Sequence, residues 1–255
     1  MEFSYDSYKE LLIKINKQLP IVSWQESFDF KRKCVIRHDV EFSPARALAL
    51  AKEEARIGVY STYCFQVRNN CYNILSDRNV EIVRQIISLG HTISAHVHMG
   101  QHQPLISLDR YIKQDIDILE QIINDKLIGF CFHRPKMEHL LLDVIIPGYI
   151  NFYSSKYFTL FDNGAKLQNM RTVYLSDSNH KWKWGNPNKI DLSRIDTLQL
   201  NFHPYNWHEK DLDNSENFAI LTNEKRVELV ESMNSEITNY PKKIYEEECN
   251  FVDWS

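Results

Sequence analysis

Apolar residues recur at two different spacings along this chain, and the two spacings predict alternating helices and strands. Within residues 5–18 the apolar positions stand three or four apart, which is typical of an amphipathic helix. Residues 34–40 predict a buried strand. Ser43 followed by Pro44 then predicts an N-cap and the first turn of a helix over 44–56. The first sixty residues therefore predict a helix, a strand and a second helix.

The same alternation continues along the rest of the chain. Further helices are predicted from Ser76 or Asp77 to Gly90, and from about Leu108 to Ile123. Further strand-like runs lie at 60–67, 92–98, 127–133, 148–154, 171–175 and 197–203. Strands that alternate with helices favour a parallel sheet covered on both faces. We therefore predict an α/β fold, a deformed (β/α) barrel with about seven parallel strands.

Composition and length fit one such barrel. The chain has 255 residues, of which 43% are hydrophobic and 25% are charged, as in ordinary globular proteins. We predict a single domain over 1–255, with an N-terminal helical extension at about 1–30. The formal net charge of -4, without long runs of like charge, argues against nucleic acid or an anionic membrane as a partner. The oligomeric state stays open.

Targeting signals and cysteine spacing indicate the compartment. The N-terminal segment has early acidic residues and no apolar signal core, and no apolar run approaches the length of about 18 residues that spans a bilayer. The five cysteines contain no CxxC pair, which favours reduced thiols over a disulfide framework. We therefore expect a cytoplasmic protein with no membrane span.

Polar side chains collect where the predicted strands end. They are Arg37, His38, Asp39 and Glu41 after the first strand, His96 and His98 in the third, His133 and Arg134 in the fourth, and His203 in a late one. Catalytic groups of α/β folds gather at the carboxyl ends of parallel strands. Because side chains two apart on a strand share a face, Asp39 pairs with Glu41, and His96 pairs with His98. A carboxylate with two imidazoles is a common ligand set for a catalytic Zn²⁺ or similar ion, so the sequence predicts a metal site at the C-terminal ends of the strands.

Five segments resemble, in order, the motifs of the polysaccharide deacetylases, carbohydrate esterase family four, which share the NodB homology domain. They are RHDVE at 37–41, GHTISAH at 90–96, FHRP at 132–135, Ser-Asp-Ser at 176–178 and LQLNFHP at 198–204. The first segment is similar to the branch of the family whose first motif is RHDVD. The resemblance covers 35–204 and implies a metal-dependent hydrolase that removes an acyl group, here an N-acetyl group, by cutting a C–N bond other than a peptide bond. It also implies one divalent metal ion, which we expect to be Zn²⁺.

The resemblance implies roles for individual residues. Asp39 matches the general base of the family, and Glu41 falls where the family has a metal-binding aspartate. His96 matches the first metal histidine. Arg134, in the third motif, would hold Asp39 and balance its charge, and His203 matches the general acid.

The chain departs from the family pattern at several positions. The second metal histidine of the family stands four residues after the first, where this chain has Gly100. We therefore predict His98 as the third ligand, with His102 as the reserve. Glu41 is one methylene longer than the usual aspartate, and Lys136 replaces an aromatic residue that often follows the third-motif proline.

The substrate contacts are predicted from the late loops. We expect them to come from His133, Asp177, Trp182 and Trp184. The two tryptophans are included because aromatic faces suit sugar rings, and core packing is the alternative for them. For Asp177 the alternative is that it supports Asp39 and His203. The substrate would be a small molecule or glycan, an intracellular sugar intermediate of the nucleotide-linked or lipid-linked kind.

Two other functions remain open from the sequence. Gly100 and Glu41 are compatible with a barrel that lost turnover and acts as a carbohydrate-binding protein. The strand-borne pair His96 and His98 also occurs in metallophosphoesterases, although the arginine-proline motif and the late histidine-proline pair favour acyl transfer.

Overall fold

A computed structural model describes residues 2–101, 106–141, 143–158, 171–182 and 185–237. Its α-helices are α1 Tyr5–Asn16, α2 Pro44–Arg56, α3 Asp77–Ser88, α4 Leu108–Ile123, α5 Met137–Leu141 and α6 Asn214–Glu236. Its strands are β1 Lys33–Val40, β2 Thr62–Phe65, β3 Thr92–His98, β4 Gly129–His133, β5 Ile150–Asn151, β6 Thr172–Ser176 and β7 Thr197–Phe202.

The seven strands form one parallel sheet in the order β5-β4-β3-β2-β1-β7-β6. Every pair of neighbouring strands is parallel. The sheet begins at β5, passes through β1 in its middle and ends at β6. Among the described residues no pairing joins β5 to β6, so the barrel is open between these two strands. Helices connect most of the strands, as parallel crossovers require. The predicted deformed (β/α) barrel with about seven parallel strands is confirmed.

The helix boundaries follow the capping signals in the sequence. The side chain of Ser4 accepts a hydrogen bond from the backbone N–H of Ser7 at the start of α1. The side chain of Ser43 does the same for Arg46 at the start of α2, and Pro44 takes the first helical position. The predicted helix over 44–56 is confirmed.

The side chains of β1 alternate between two environments. Cys34 and Ile36 belong to an apolar cluster that includes Leu11 and Leu12 of α1. Asp39 lies among polar side chains on the other face, where Asn201 of β7 donates a hydrogen bond to it over 2.9 Å. This period-two alternation directs Cys34 and Ile36 toward the helices and Asp39 into the barrel.

Glu54 of α2 anchors the outer face of β1 through a buried hydrogen-bond network. Its carboxylate accepts hydrogen bonds from the hydroxyls of Tyr8 over 2.5 Å, Ser61 over 2.6 Å and Tyr63 over 2.7 Å. It also lies 2.9 Å from His38 Nε2. Burial raises the pKa of Glu54, but the charge of His38 and the hydrogen bonds outweigh burial and lower it to about 2. The network joins α1, α2, β1 and β2 behind the strand that carries Asp39.

His91, a histidine of the second motif, also has a supporting position outside the barrel. His91 is buried, and its Nδ1 accepts a hydrogen bond from the backbone N–H of Ser61 over 3.2 Å. Its Nε2 therefore carries the proton and donates to the carbonyl of Ala51 over 2.9 Å. His91 therefore supports the fold, because it joins α2 to the residue that precedes β2.

The chain divides into two compact units, residues 1–212 and 213–255. The first holds the sheet, and the described part of the second is mainly α6. That helix begins with a capping box in which Asp213 and Glu216 bond each other's backbone N–H groups. The prediction of one domain over 1–255 stays a prediction. Within the described part of the chain, every helix is too short or too polar for a bilayer crossing.

Candidate functional site

Three side chains at the ends of β1, β3 and β4 converge at the carboxyl edge of the sheet. Glu41 follows β1, His96 lies in β3, and His133 ends β4. Glu41 Oε1 is 2.8 Å from His133 Nδ1 and 3.7 Å from His96 Nε2. One donor atom from each residue lies within 4.8 Å of the other two. A carboxylate with two imidazoles is a suitable donor set for Zn²⁺ or a similar divalent ion.

The state of these donors fits a bound cation. His96 Nε2 is buried and has no hydrogen-bond partner among the described residues. An unsatisfied buried polar atom is costly, and a metal ion would satisfy it. Burial raises the pKa of Glu41, but the charge of His203 and the hydrogen bond from His133 hold it well below its usual range. The carboxylate is therefore charged and able to bind a cation.

Asp39 lies two residues before Glu41 and is held on both oxygens. Its Oδ2 accepts hydrogen bonds from Arg37 over 3.3 Å and Asn201 over 2.9 Å. Its Oδ1 lies 3.4 Å from the thiol of Cys131. Burial raises the pKa of Asp39, but the nearby positive charges, that of Arg37 foremost, outweigh burial and lower the pKa below its ordinary value. Asp39 is thus kept as an anion although only 3% of its surface is exposed.

His203 and Asp177 form a second catalytic candidate beside Glu41. His203 Nδ1 lies 2.7 Å from Asp177 Oδ1, and Trp207 Nε1 donates to Asp177 Oδ2 over 2.7 Å. The Nε2 of His203 faces Glu41 Oε1 at 3.8 Å. Burial lowers the pKa of His203, but Glu41 and Asp177 outweigh burial and raise it to about 9. The ring is therefore an imidazolium at neutral pH, with Nε2 directed toward the Glu41 group.

The structure brings two of the three predicted metal ligands into one group of donor atoms and leaves the third outside that group. Glu41 and His96 converge as expected, but His133 completes the group in place of His98. The His98 ring turns toward the next backbone segment, where a side chain at Gly100 would come within 3.1 Å of its Cε1. The ring of His98 also lies 4.7 Å from that of His133. His133, which we predicted as a substrate contact, is thus a metal ligand candidate, and His98 lines the rim.

The predicted role of Arg134 is taken by another arginine. Arg37 stands two residues before Asp39 on the same strand, so both side chains enter the barrel, and the Arg37 guanidinium contacts Asp39. Arg134 is exposed just beyond β4, with a φ of 50°. The pKa of His98 is lowered, first by burial and then by positive neighbours that include His133 and Arg134. Arg134 therefore lies at the rim of the site and not against Asp39.

The predicted substrate contacts are distributed differently from the expectation. Asp177 is fully buried beneath His203, so it supports that ring and does not reach a substrate. Trp182 packs edge-on against Phe202, whose side chain leaves β7 on the face opposite His203. The packing alternative therefore describes Trp182. Trp184 and His102 lie outside the described residues.

Several residues of the site were not singled out by sequence reasoning. Cys131 and Asn201 contact Asp39, and Tyr153 accepts a hydrogen bond from Arg37 over 2.7 Å. Cys131 stands two residues before His133, and Asn201 two before His203. The same period-two rule that paired Asp39 with Glu41 could have identified both.

The comparisons with known proteins give distant structural likenesses. The chain is similar to a family 4 acetyl xylan esterase from Clostridium thermocellum in complex with a cobalt ion, with 12% identity, a TM-score of 0.40, and coverage of 76% of this chain and 83% of that one. It is similar to the chitin deacetylase from the fungal pathogen Colletotrichum lindemuthianum, with 15% identity, a TM-score of 0.41, and coverage of 75% and 81%. It is also similar to a family 4 carbohydrate esterase from Bacillus anthracis, with 13% identity, a TM-score of 0.41, and coverage of 87% and 86%. No protein-family model matches the sequence, and no curated protein matches it. At these TM-scores the likeness adds no argument about activity.

Proposed function

We propose that this chain is a metal-dependent hydrolase that removes an acyl group, an N-acetyl group in our proposal, from a sugar or glycan intermediate. The observation that carries the proposal is the placement of an imidazolium candidate, His203, 3.8 Å from the carboxylate of Glu41 at the edge of the sheet. One site thereby combines a set of metal donors with a proton donor. The five motifs that resemble the polysaccharide deacetylases contribute these same residues.

Glu41, His96 and His133 would hold the divalent ion, which we propose to be Zn²⁺. When bound, the ion supplies a Lewis acid that polarises the acyl carbonyl and activates the attacking water. Three protein ligands are the number that catalytic zinc sites use, with a further position for water or substrate.

Asp39 is the proposed general base. Arg37 and Asn201 bind its Oδ2, so the carboxylate stays ionised and its Oδ1 is directed toward His96 Nδ1 at 3.9 Å. Such a carboxylate accepts a proton as water attacks the acyl carbon. Removal of Asp39 is therefore expected to slow the reaction of every acyl substrate.

His203 is the proposed general acid. Asp177 accepts a hydrogen bond from its Nδ1–H and fixes the ring, so Nε2 is the atom that gives a proton to the departing amine. Asp177 is a positioning residue in this scheme because it acts through His203. The substrate that we propose is an intracellular sugar intermediate, nucleotide-linked or lipid-linked.

The proposal is tested by acetate release from a panel of N-acetylated sugars and sugar nucleotides. The purified protein is assayed after chelation and again after addition of Zn²⁺. Glu41→Gln serves as the site variant. Glu53→Gln, at a residue of α2 that forms an ion pair with Lys9, serves as the matched control. We expect metal-restored release in the wild type and in Glu53→Gln, and a loss of at least tenfold in Glu41→Gln. Tight sugar binding without release from any substrate would instead support the carbohydrate-binding alternative.

A further inference from the structure

A second group of donor atoms lies deeper in the barrel and contains two thiols. Asp39, Cys64 and Cys131 each offer one ligand atom, and these atoms lie within 4.8 Å of one another. Their exposed fractions are only 3%, 0% and 0%. Asp39 and Cys131 each stand two residues before a member of the first group, Glu41 and His133. On extended strands this step equals about 7 Å, so the thiol group lies one layer below the first.

His96 separates the two groups and offers one ring nitrogen to each. Its Nε2 faces Glu41 at 3.7 Å, whereas its Nδ1 lies 3.1 Å from Cys131 Sγ and 3.9 Å from Asp39 Oδ1. Cys131 Sγ lies 3.4 Å from Asp39 Oδ1. Nitrogen, oxygen and sulfur ligands of one tetrahedral Zn²⁺-sized ion are about 3.3–3.8 Å apart, given the usual metal–ligand distances. The three measured separations are close to that spacing, so small side-chain shifts would place these donors around one ion.

The charges of this layer balance with a divalent ion. With both thiol protons displaced by a bound ion, the two sulfurs and the Asp39 carboxylate would carry three negative charges, and Arg37, 3.3 Å from Asp39 Oδ2, carries one positive charge. A divalent cation brings the sum to zero, which removes the large cost of an uncompensated buried charge. Arg37 and Asn201 occupy Oδ2, so Oδ1 stays on the side of the thiols.

We propose that Asp39, Cys64 and Cys131, with His96 Nδ1 as the fourth ligand, form a binding site for a thiophilic divalent cation. Thiolates are soft ligands, so the site favours Cd²⁺ or Zn²⁺ over Mg²⁺ or Ca²⁺. Each ion that enters displaces three protons, those of the two thiols and that of His96 Nδ1, which leave to solvent as the metal–sulfur and metal–nitrogen bonds form. His96 then keeps its Nε2 proton, so the ring serves one of the two groups of donors at a time. An ion at this site removes Asp39 from acyl hydrolysis and so inhibits it. That consequence rests on the proposed function, whereas the binding itself does not.

Titration of the full chain with Cd²⁺ tests the site without any substrate. We expect a thiolate-to-cadmium absorption band in the ultraviolet that saturates with one ion per chain at the thiol layer. Cys64→Ser and Cys131→Ser should each lower the band by about half and weaken its midpoint by tenfold or more. Cys71→Ser is the matched control, because Cys71 is exposed and is not one of the donors of the layer. It should leave the band unchanged.

Cadmium NMR of the wild-type protein provides a measurement that does not depend on variants. The proposal predicts a resonance in the range of sulfur ligation. The proposal is overturned by a resonance in the range of nitrogen and oxygen ligands alone, by the absence of the thiolate band, or by an equal band in Cys64→Ser and Cys131→Ser. Loss of the band in Cys71→Ser would also overturn it. Because none of these readouts involves acetate release, failure of the proposed hydrolysis leaves the test intact.

Discussion

Glu54→Ala is the substitution that we expect to destabilise the barrel most sharply without touching its interior. Glu54 is fully buried and satisfies three hydroxyls and His38. Its pKa is about 2 against an ordinary 4.5, a difference equivalent to about 3 kcal/mol of stabilisation of the folded state. Alanine also leaves the hydroxyls and His38 Nε2 without this partner in a closed environment. We therefore expect a loss of about 3–5 kcal/mol in the free energy of unfolding.

Urea denaturation followed by circular dichroism measures this loss, and neighbouring Glu53 provides the control. Glu53 belongs to the same helix, but its ion pair partners, Lys9 and Arg56, are partly or largely exposed. Glu53→Gln should therefore cost less than about 1 kcal/mol. Equal losses for Glu54→Ala and Glu53→Gln would refute the assignment of Glu54 as the anchor of β1.

The pH dependence of the Glu54 contribution has a defined sign. Because the folded-state pKa is depressed, the stabilisation is fully present above about 4.5 and is lost as the pH falls toward about 2. The stability difference between the wild type and Glu54→Gln should shrink over that window. A difference that stays constant between those two pH values would show that the carboxylate charge contributes nothing.

Three further predictions concern the site. His133→Ala should weaken Zn²⁺ binding at least tenfold by calorimetry, whereas His98→Ala should weaken it less than threefold; the reverse order would restore His98 as the ligand. Asp177→Asn should shift the alkaline limb of the kcat/KM profile for amide substrates to lower pH, because Asp177 helps to raise the pKa of His203 to about 9. If the alkaline limb does not move, a group other than His203 determines its pKa. Burial lowers the pKa of His96, but Asp39 outweighs burial and raises it to about 10 in the metal-free protein. Because protons compete with the metal ion for this ring, metal affinity should increase with pH up to about that value. A metal affinity that does not change between pH 6 and 9 would contradict this competition.

Much of the fold was predictable because its signals are local. The helix over 44–56 is fixed by Ser43 and Pro44, and the strands over 92–98 and 127–133 by their apolar runs. The helix α6 was not predicted, since its apolar residues follow no clear helical stripe. The capping box formed by Asp213 and Glu216 was its readable signal.

The site was predictable up to the identity of individual partners. Strand ends placed Glu41, His96 and His203 at one edge of the barrel, and the structure has them there. The choice between His98 and His133 could not be made from spacing within one strand. It depends on the register of β3 with β4, which pairs these two residues, and on the rotation of each ring. Both are tertiary properties.

The comparison of amide and activated-ester hydrolysis in His203→Ala tests most directly whether one centre performs acyl hydrolysis with His203 as its acid. An amine must be protonated to leave, whereas a good alcohol leaving group departs without help. We expect His203→Ala to lower the rate with an N-acetylated sugar at least a hundredfold and the rate with an activated acetyl ester less than tenfold, with metal content unchanged. Equal losses for both substrates, or no loss for either, would contradict it.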